Sequence, residues 1–275
     1  MSEPPSLVKT AYYACRRFER RKYDSMEVPD VDMQSCCWSL FKIIKINRNI
    51  NGDNNTNRQT LFGRLSRRYV KTYKRNFSRQ YRNICTEATT HGHIDCLKLA
   101  HEIGIGWGDG QSCTIAAKAG NLECLRYARE NGCPWDKWTS MYAAEIGNLE
   151  CLKYTIQNGC PWDTFTCTFA SAYGHLDCLR YARESGCPWD EWTCNLAATS
   201  GQLECLRYAH ENGCPWVART CMYAANTGEL ECLKYLRENG CPWDERTCIV
   251  AAGNGHSACL AYAMENGCPW DGNLE

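Results

Sequence analysis

From residue 85 to the end of the chain, apolar and polar positions recur with a fixed period of 27 residues. Within one period, residues 194–220, a paired-alanine segment around Ala197-Ala198 comes first and Gly201 interrupts it. A second segment then places Leu203, Leu206, Tyr208 and Ala209 towards one face of a helix and Glu204, Arg207 and Glu211 towards water, an amphipathic helical period. This segment stops at Asn212-Gly213, where glycine can take the left-handed conformation that closes a helix. Cys214-Pro215-Trp216 follows, and proline forbids continuation of the helix. Thr193, Thr220 and Thr247 precede the first apolar residues of their periods and are expected to act as N-caps, their hydroxyls accepting a free backbone N–H. Each period therefore reads as helix, turn, helix, short loop.

Cys-Pro-Trp marks the period six times, beginning at Cys133, Cys160, Cys187, Cys214, Cys241 and Cys268. The units run 85–112, 113–139, 140–166, 167–193, 194–220, 221–247 and 248–274. The first carries one extra residue, with Ile105-Gly106-Trp107-Gly108-Asp109 in place of Cys-Pro-Trp-Asp. A unit this small cannot bury its apolar face alone and must stack on its neighbours. The expected fold class is an all-α helical-repeat solenoid of about seven helix pairs over 85–275, preceded by a separate basic region over 1–84.

The run Thr-Cys-x-x-Ala-Ala-x-x-Gly-x-Leu-Glu-Cys-Leu resembles the ankyrin consensus, and Gly92-His93, Gly174-His175 and Gly255-His256 keep its Gly-His pair. The unit is shorter than the ~33 residues of that family, with Cys in place of Pro and the β-finger cut to Cys-Pro-Trp-Asp. In this short form the chain is similar to ankyrin-like arrays of giant DNA viruses and protists. The resemblance implies a protein–protein interaction scaffold that holds its partner on the loop and concave side.

The chain has 22 cysteines, and 19 of them fall on three ladders set by the repeat. One runs along the second helix (Cys96, Cys124, Cys151, Cys178, Cys205, Cys232, Cys259) and one through the tripeptides. The third runs along the first helix (Cys85, Cys113, Cys167, Cys194, Cys221, Cys248). Equivalent positions in stacked units should stand about 8–10 Å apart, beyond the ~7 Å Cα limit for a disulfide. The intervals also lack the close pairs usual at zinc sites. Cysteine is therefore read as a small buried hydrophobe, and no metal or cofactor is expected.

Charge divides the chain in two. Residues 1–84 hold 18 Lys/Arg against 7 Asp/Glu, a net of +11, and residues 85–275 hold 13 against 24, a net of −11. The basic residues concentrate at Arg64, Arg67, Arg68, Lys71, Lys74, Arg75 and Arg79, with Tyr69, Tyr73 and Phe77 among them. Leu61, Leu65, Tyr69, Tyr73, Phe77 and Tyr81 recur every four residues, which favours a helix capping the first repeat. The alternative is a nucleic-acid surface over 64–82, with arginines on phosphates and rings on bases. Residues Leu7 to Met26 read as a helix and the Asn-rich stretch 47–59 as a loop. No stretch approaches the ~20 apolar residues of a spanning helix and the start has no secretory pattern, so an intracellular protein, cytoplasmic or nuclear, is expected.

Catalytic motifs are absent: there is no G-x-x-x-x-G-K-[ST], H-E-x-x-H or G-x-S-x-G. Glycines 104, 106, 108 and 110 belong to an inter-repeat loop and do not fit a phosphate cradle. The chain is read as a binding protein without catalysis. Its binding residues are sought where the repeats differ, since shared residues are explained by stacking. The position before the conserved threonine reads Trp138, Phe165, Trp192, Arg219 and Arg246 in successive units, residue types favoured at interface hot spots. The competing reading packs these rings on Trp135, Trp162 and Trp189. Lys118, Glu145, Thr199 and Asn226 form a second variable row. The last unit replaces Leu, Glu and Arg/Lys by Ser257, Ala258 and Ala261 and carries Met264, which suggests self-association through that end.

Overall fold

The computed structural model describes residues 84–102, 105–107 and 110–272. The Arg64–Arg79 patch, the Leu7–Met26 helix and the loop 47–59 lie outside the described residues. Among those described there are fourteen α-helices and no strand. The fold is all-α and built from repeated helix pairs. Two compact units are distinguished, Met1–Pro134 and Trp135–Glu275.

In the first unit the helices are α1 Ile84–Thr90, α2 Ile94–Glu102, α3 Ser112–Lys118 and α4 Leu122–Glu130. The pairs α1/α2 and α3/α4 stack first helix on first helix and second on second. Asn121 Nδ2 donates to the Thr89 carbonyl at 2.7 Å, and Trp107 Nε1 donates to the Asn131 carbonyl at 3.0 Å.

The second unit holds α5 Lys137–Glu145, α6 Leu149–Gln157, α7 Thr164–Ala172, α8 Leu176–Glu184 and α9 Glu191–Thr199. It continues with α10 Leu203–Glu211, α11 Ala218–Thr227, α12 Leu230–Glu238, α13 Glu245–Gly253 and α14 Ser257–Glu265. The first helices α5, α7, α9, α11 and α13 pack successively on one another, as do the second helices more loosely. Small side chains make this close approach possible: Ala143, Ala170, Ala197, Ala224 and Ala251 are fully buried, as are Leu152, Leu179, Leu206 and Leu233 on the second helices.

The helix starts correct one expectation. Thr193 and Thr247 do not cap; they occupy the third helical position, and the cap is the aspartate three residues earlier. The carboxylates of Asp136, Asp163, Asp190 and Asp244 accept the N–H of residues 138, 165, 192 and 246 at 3.0–3.1 Å. These aspartates have extended backbone, so the tetrapeptide Cys-Pro-Trp-Asp ends in the cap itself. At Thr139 the hydroxyl completes a capping box, accepting the Asp136 N–H at 3.4 Å. Thr220 likewise accepts the Val217 N–H, at 3.2 Å. The threonines instead join neighbouring first helices: Thr193 pairs with Thr168 at 3.3 Å, and Thr220 donates to Asn195 Oδ1 at 2.7 Å.

Second helices end as expected. Asn158, Asn212, Asn239 and Asn266 donate Nδ2 to the carbonyl four residues back at 2.8 Å. Gly213 then has φ +81°, and the Cys214 N–H returns to the Ala209 carbonyl at 2.9 Å. The glycine before each second helix answers a tighter demand. At Gly147, with φ +71°, an added Cβ would run into the His175 ring of the following pair. The histidine of the Gly-His pair makes no capping hydrogen bond at α8. Its side chain lies across the preceding turn instead.

All 19 described cysteines are buried and free. Equivalent sulfurs do not form the notable contacts; sulfurs twenty residues apart do. Cys113 Sγ lies 3.8 Å from the Cys133 carbonyl, and the first-helix thiols Cys167, Cys194 and Cys221 bond to the tripeptide sulfurs Cys187, Cys214 and Cys241. The tripeptide thiol passes the bond on. Cys187 donates to the Asp163 carbonyl and Cys214 to the Asp190 carbonyl, each at 3.2 Å. Each such chain joins the loop after a helix pair to the cap before it, so it closes one pair upon itself.

Candidate functional site

The variable row stands at the second residue of each first helix in the second unit. A capping aspartate holds the backbone there in every first helix of the unit but α11, and the side chains of the row are exposed. Trp138, Phe165 and Trp192 are 43%, 42% and 45% exposed, high values for large rings. Trp138 and Phe165 stack with centroids 6.2 Å apart and planes at 14°. Phe165 meets Phe169 edge-on at 6.2 Å, and Phe169 stacks on Tyr173, itself exposed, at 6.3 Å. Lys137 Nζ lies 5.3 and 5.6 Å from the Trp138 and Phe165 centroids and 2.9 Å from the Asp163 carboxylate. These contacts hold the rings in an open, ordered strip.

The tripeptide tryptophans have partners of their own on the second helices. Trp135, Trp189, Trp216 and Trp243 meet Tyr154, Tyr208, Tyr235 and Tyr262 of the second helices edge-on at 6.1–6.4 Å. Arg183 lies over Trp189 at 4.2 Å and Arg237 over Trp243 at 4.5 Å. At the corresponding place His210 stacks on Trp216 at 3.6 Å and bonds through Nδ1 to Tyr235 Oη at 3.0 Å. Burial lowers the His210 pKa below its ordinary value. The sequence therefore carries two separate aromatic ladders, and only register distinguishes them.

Further along the row, Trp192, Arg219 and Arg246 border one open groove of about 390 Å³. Trp192 meets Tyr223 at 6.1 Å, tilted by 45°. The groove floor includes Val217 and Asn195, and its acidic lining residues are Glu191 and Asp244. Val217 is 39% exposed and occupies the place that aspartate takes before α5, α7, α9 and α13. Asn195 is only 2% exposed, and Asn195 Oδ1 is the acceptor for Thr220. Arg219 and Arg246 are exposed and form no ion pair among the described residues. Sequence reasoning found the row but missed Asn195 and Val217. The signal for Val217 was available, since it breaks an otherwise regular Cys-Pro-Trp-Asp.

The second variable row is not part of this groove. Lys118 ends α3 in the first unit, and Glu145 ends α5 in the second. Thr199 donates to the Asn195 carbonyl at 2.7 Å within its own helix. Asn226 receives Asn254 Nδ2 at Oδ1 at 3.1 Å, and its carbonyl lies 3.1 Å from His256 Nε2. The contacts of Asn226 join neighbouring repeats, whereas that of Thr199 stays inside one helix.

Thiol chemistry offers little here. Burial, aided by Glu123, Asp177 and Glu204 respectively, pushes Cys124, Cys178 and Cys205 up to about 11. Hydrogen bonding to the partner sulfur, together with burial, raises Cys167, Cys194 and Cys221 further. Among the described residues no group of three or more His, Cys, Asp or Glu side chains is arranged to hold a metal ion. Nor is any described helix long and apolar enough to cross a membrane.

Among solved structures the chain is similar to the human ASB11 ankyrin repeat domain, with a TM-score of 0.56 and 16% identity over 67% of this chain and 98% of that one. No protein-family model matches the sequence. No curated protein matches it either. The structural likeness establishes an ankyrin-repeat fold.

Proposed function

We propose that this chain is a non-enzymatic interaction scaffold that holds a partner protein along the row Trp138, Phe165, Trp192, Arg219 and Arg246. The observation that carries the reading is the exposure of three large rings in consecutive repeats, leading to a groove with two unpaired arginines. Contiguous exposed apolar surface is disfavoured on an isolated soluble protein and marks places where another molecule binds. Tryptophan and arginine are also the side chains most often responsible for binding energy at such places. The ankyrin-repeat fold supports the same reading as a rigid frame that presents variable side chains at a fixed spacing.

The 27-residue Cys-Pro-Trp-Asp unit supports placing the chain with the short ankyrin-like arrays of giant DNA viruses and protists. In that setting the partner is a protein of the host cell or of the virus particle.

A photo-crosslinking amino acid at position 165, compared with one at the exposed Arg126 position on α4, tests the site. Partner adducts are expected at 165 and not at 126. Changing Trp138 and Trp192 to Ala should reduce capture at least tenfold while the melting temperature falls by no more than a few degrees. Equal crosslinking at both positions, or full capture by the double variant, refutes the reading.

A further inference from the structure

The groove between α9, α11 and α13 departs from the repeat in a way that stacking does not explain. In four of the five first helices of this unit a carboxylate receives the N–H of the second helical residue. In α11 it cannot, because Val217 stands in the aspartate position and its side chain has no acceptor. The Arg219 N–H is left at the positive end of a ten-residue helix without the acceptor its counterparts have. The loss of a cap costs stability, and the Thr220 hydroxyl, which accepts the Val217 N–H, leaves the Arg219 N–H unserved.

Three further donors converge on the same place. Arg219 and Arg246 both line the groove with unpaired guanidinium groups. Asn195, 98% buried by its 2% exposure, also lines it. Asn195 Oδ1 is engaged by Thr220, whereas Asn195 Nδ2 has no acceptor among the described residues. The Asn195 amide thus has a donor to offer from a residue that lines the groove. The residues at the corresponding place in neighbouring repeats are Thr168 and Met222, so an amide there is not required by the stack. Apolar walls of Trp192 and Val217 complete the site.

Resting on the interaction-scaffold reading, we infer that this groove receives a carboxylate side chain from an acidic segment of the partner protein, which caps α11 in place of the missing aspartate. The Arg219 N–H and Asn195 Nδ2 bind the carboxylate oxygens. The arginines supply charge and planar, paired donors suited to a carboxylate. Charge selects the ligand: Arg219 and Arg246 are balanced by Glu191 and Asp244 on the rim, so a monoanion is accommodated where a dianionic phosphate meets repulsion. Outside the groove the repeat region is strongly acidic, which keeps acidic segments from binding elsewhere on it.

The test uses the ¹⁵N-labelled full chain and the peptide Ac-(Gly-Glu)₄-NH₂, with Ac-(Gly-Gln)₄-NH₂ as its neutral counterpart. Binding is read at the backbone amide resonances of Arg219 and Thr220, so that association with the basic N-terminal region does not count. The Glu peptide should shift the Arg219 amide downfield to saturation, and the Gln peptide should bind at least tenfold more weakly. Val217→Asp should raise the melting temperature, move the Arg219 amide without peptide and weaken the Glu peptide at least tenfold. Arg219→Gln with Arg246→Gln should weaken it similarly, and Asn195→Thr several-fold. Equal response to the two peptides, or undiminished binding by Val217→Asp, overturns the inference. If crosslinking from position 165 then still captures the partner, the scaffold reading stands and only the carboxylate site fails. Peptide binding as described, without any partner adduct at 165, leaves the carboxylate site and removes the extended row.

Discussion

A cysteine's role in this fold is decided by what surrounds its sulfur. Burial holds the second-helix thiols Cys124, Cys178 and Cys205 near 11, so they carry little thiolate at neutral pH. Brief treatment of the native protein with iodoacetamide at pH 8 should leave Cys124, Cys178 and Cys205 unmodified by peptide mapping, whereas the same treatment in guanidinium modifies all three. A residue-scale pH response belongs to His210. Its folded pKa is depressed, so between that value and the unfolded value near 6.5 the unfolded chain binds more protons. Stability is then full above about pH 7 and declines as pH falls through 6.5. The melting temperature should drop between pH 7 and 5, and His210→Arg, which installs the residue found at Arg183 and Arg237, should flatten that drop. The packing role of cysteine was legible in the sequence, but not which sulfurs meet. Comparing equivalent positions measures distance along the stack, while the contacts that form cross a single helix pair.

At the scale of the element, α5, α7, α9 and α13 are each capped by one carboxylate. Asp190→Ala should cost about 1 kcal/mol in urea unfolding, and Val217→Asp should change stability by a similar amount in the opposite direction. Helix existence, the alanine pairing and the glycine stops were all readable from period and composition. The cap was misassigned to threonine because Thr193 and Asp190 are both good capping residues. The choice depends on where the extended backbone ends. Asp190 is extended and Glu191 already helical, so the helix begins about one turn earlier than the apolar pattern suggests. That shift also explains why the aromatic row faces outward: its members lie in the first turn, ahead of the buried Cys194 and Ala197.

For the whole molecule, stability in each compact unit comes from contacts between neighbouring pairs. Leu206 is fully buried on α10, and Leu206→Ala should cost about 2–5 kcal/mol. Because repeats depend on adjacent repeats, hydrogen exchange should accelerate in α8 and α12 as well as in α10. The last helix lacks such cover on one side. Leu260 is only partly buried where Leu206 and Leu233 are fully so, and Met264 is 56% exposed. We propose self-association through this face, for which sedimentation equilibrium should show mass rising with concentration and Met264→Glu should suppress the rise. The repeat architecture was visible from the 27-residue period alone. The groove was not, because it depends on one omitted aspartate and one buried amide that the period treats as noise.

In α5, α7, α9 and α13 the second helical residue has its backbone fixed by the aspartate two places before it and its side chain exposed. Trp138, Phe165, Trp192 and Arg246 all occupy that setting with the same capping bond. On the proposed scaffold reading, fold and recognition occupy different addresses within each repeat. On that reading, mutation can respell the outward row one letter at a time while the architecture remains legible to the folding chain.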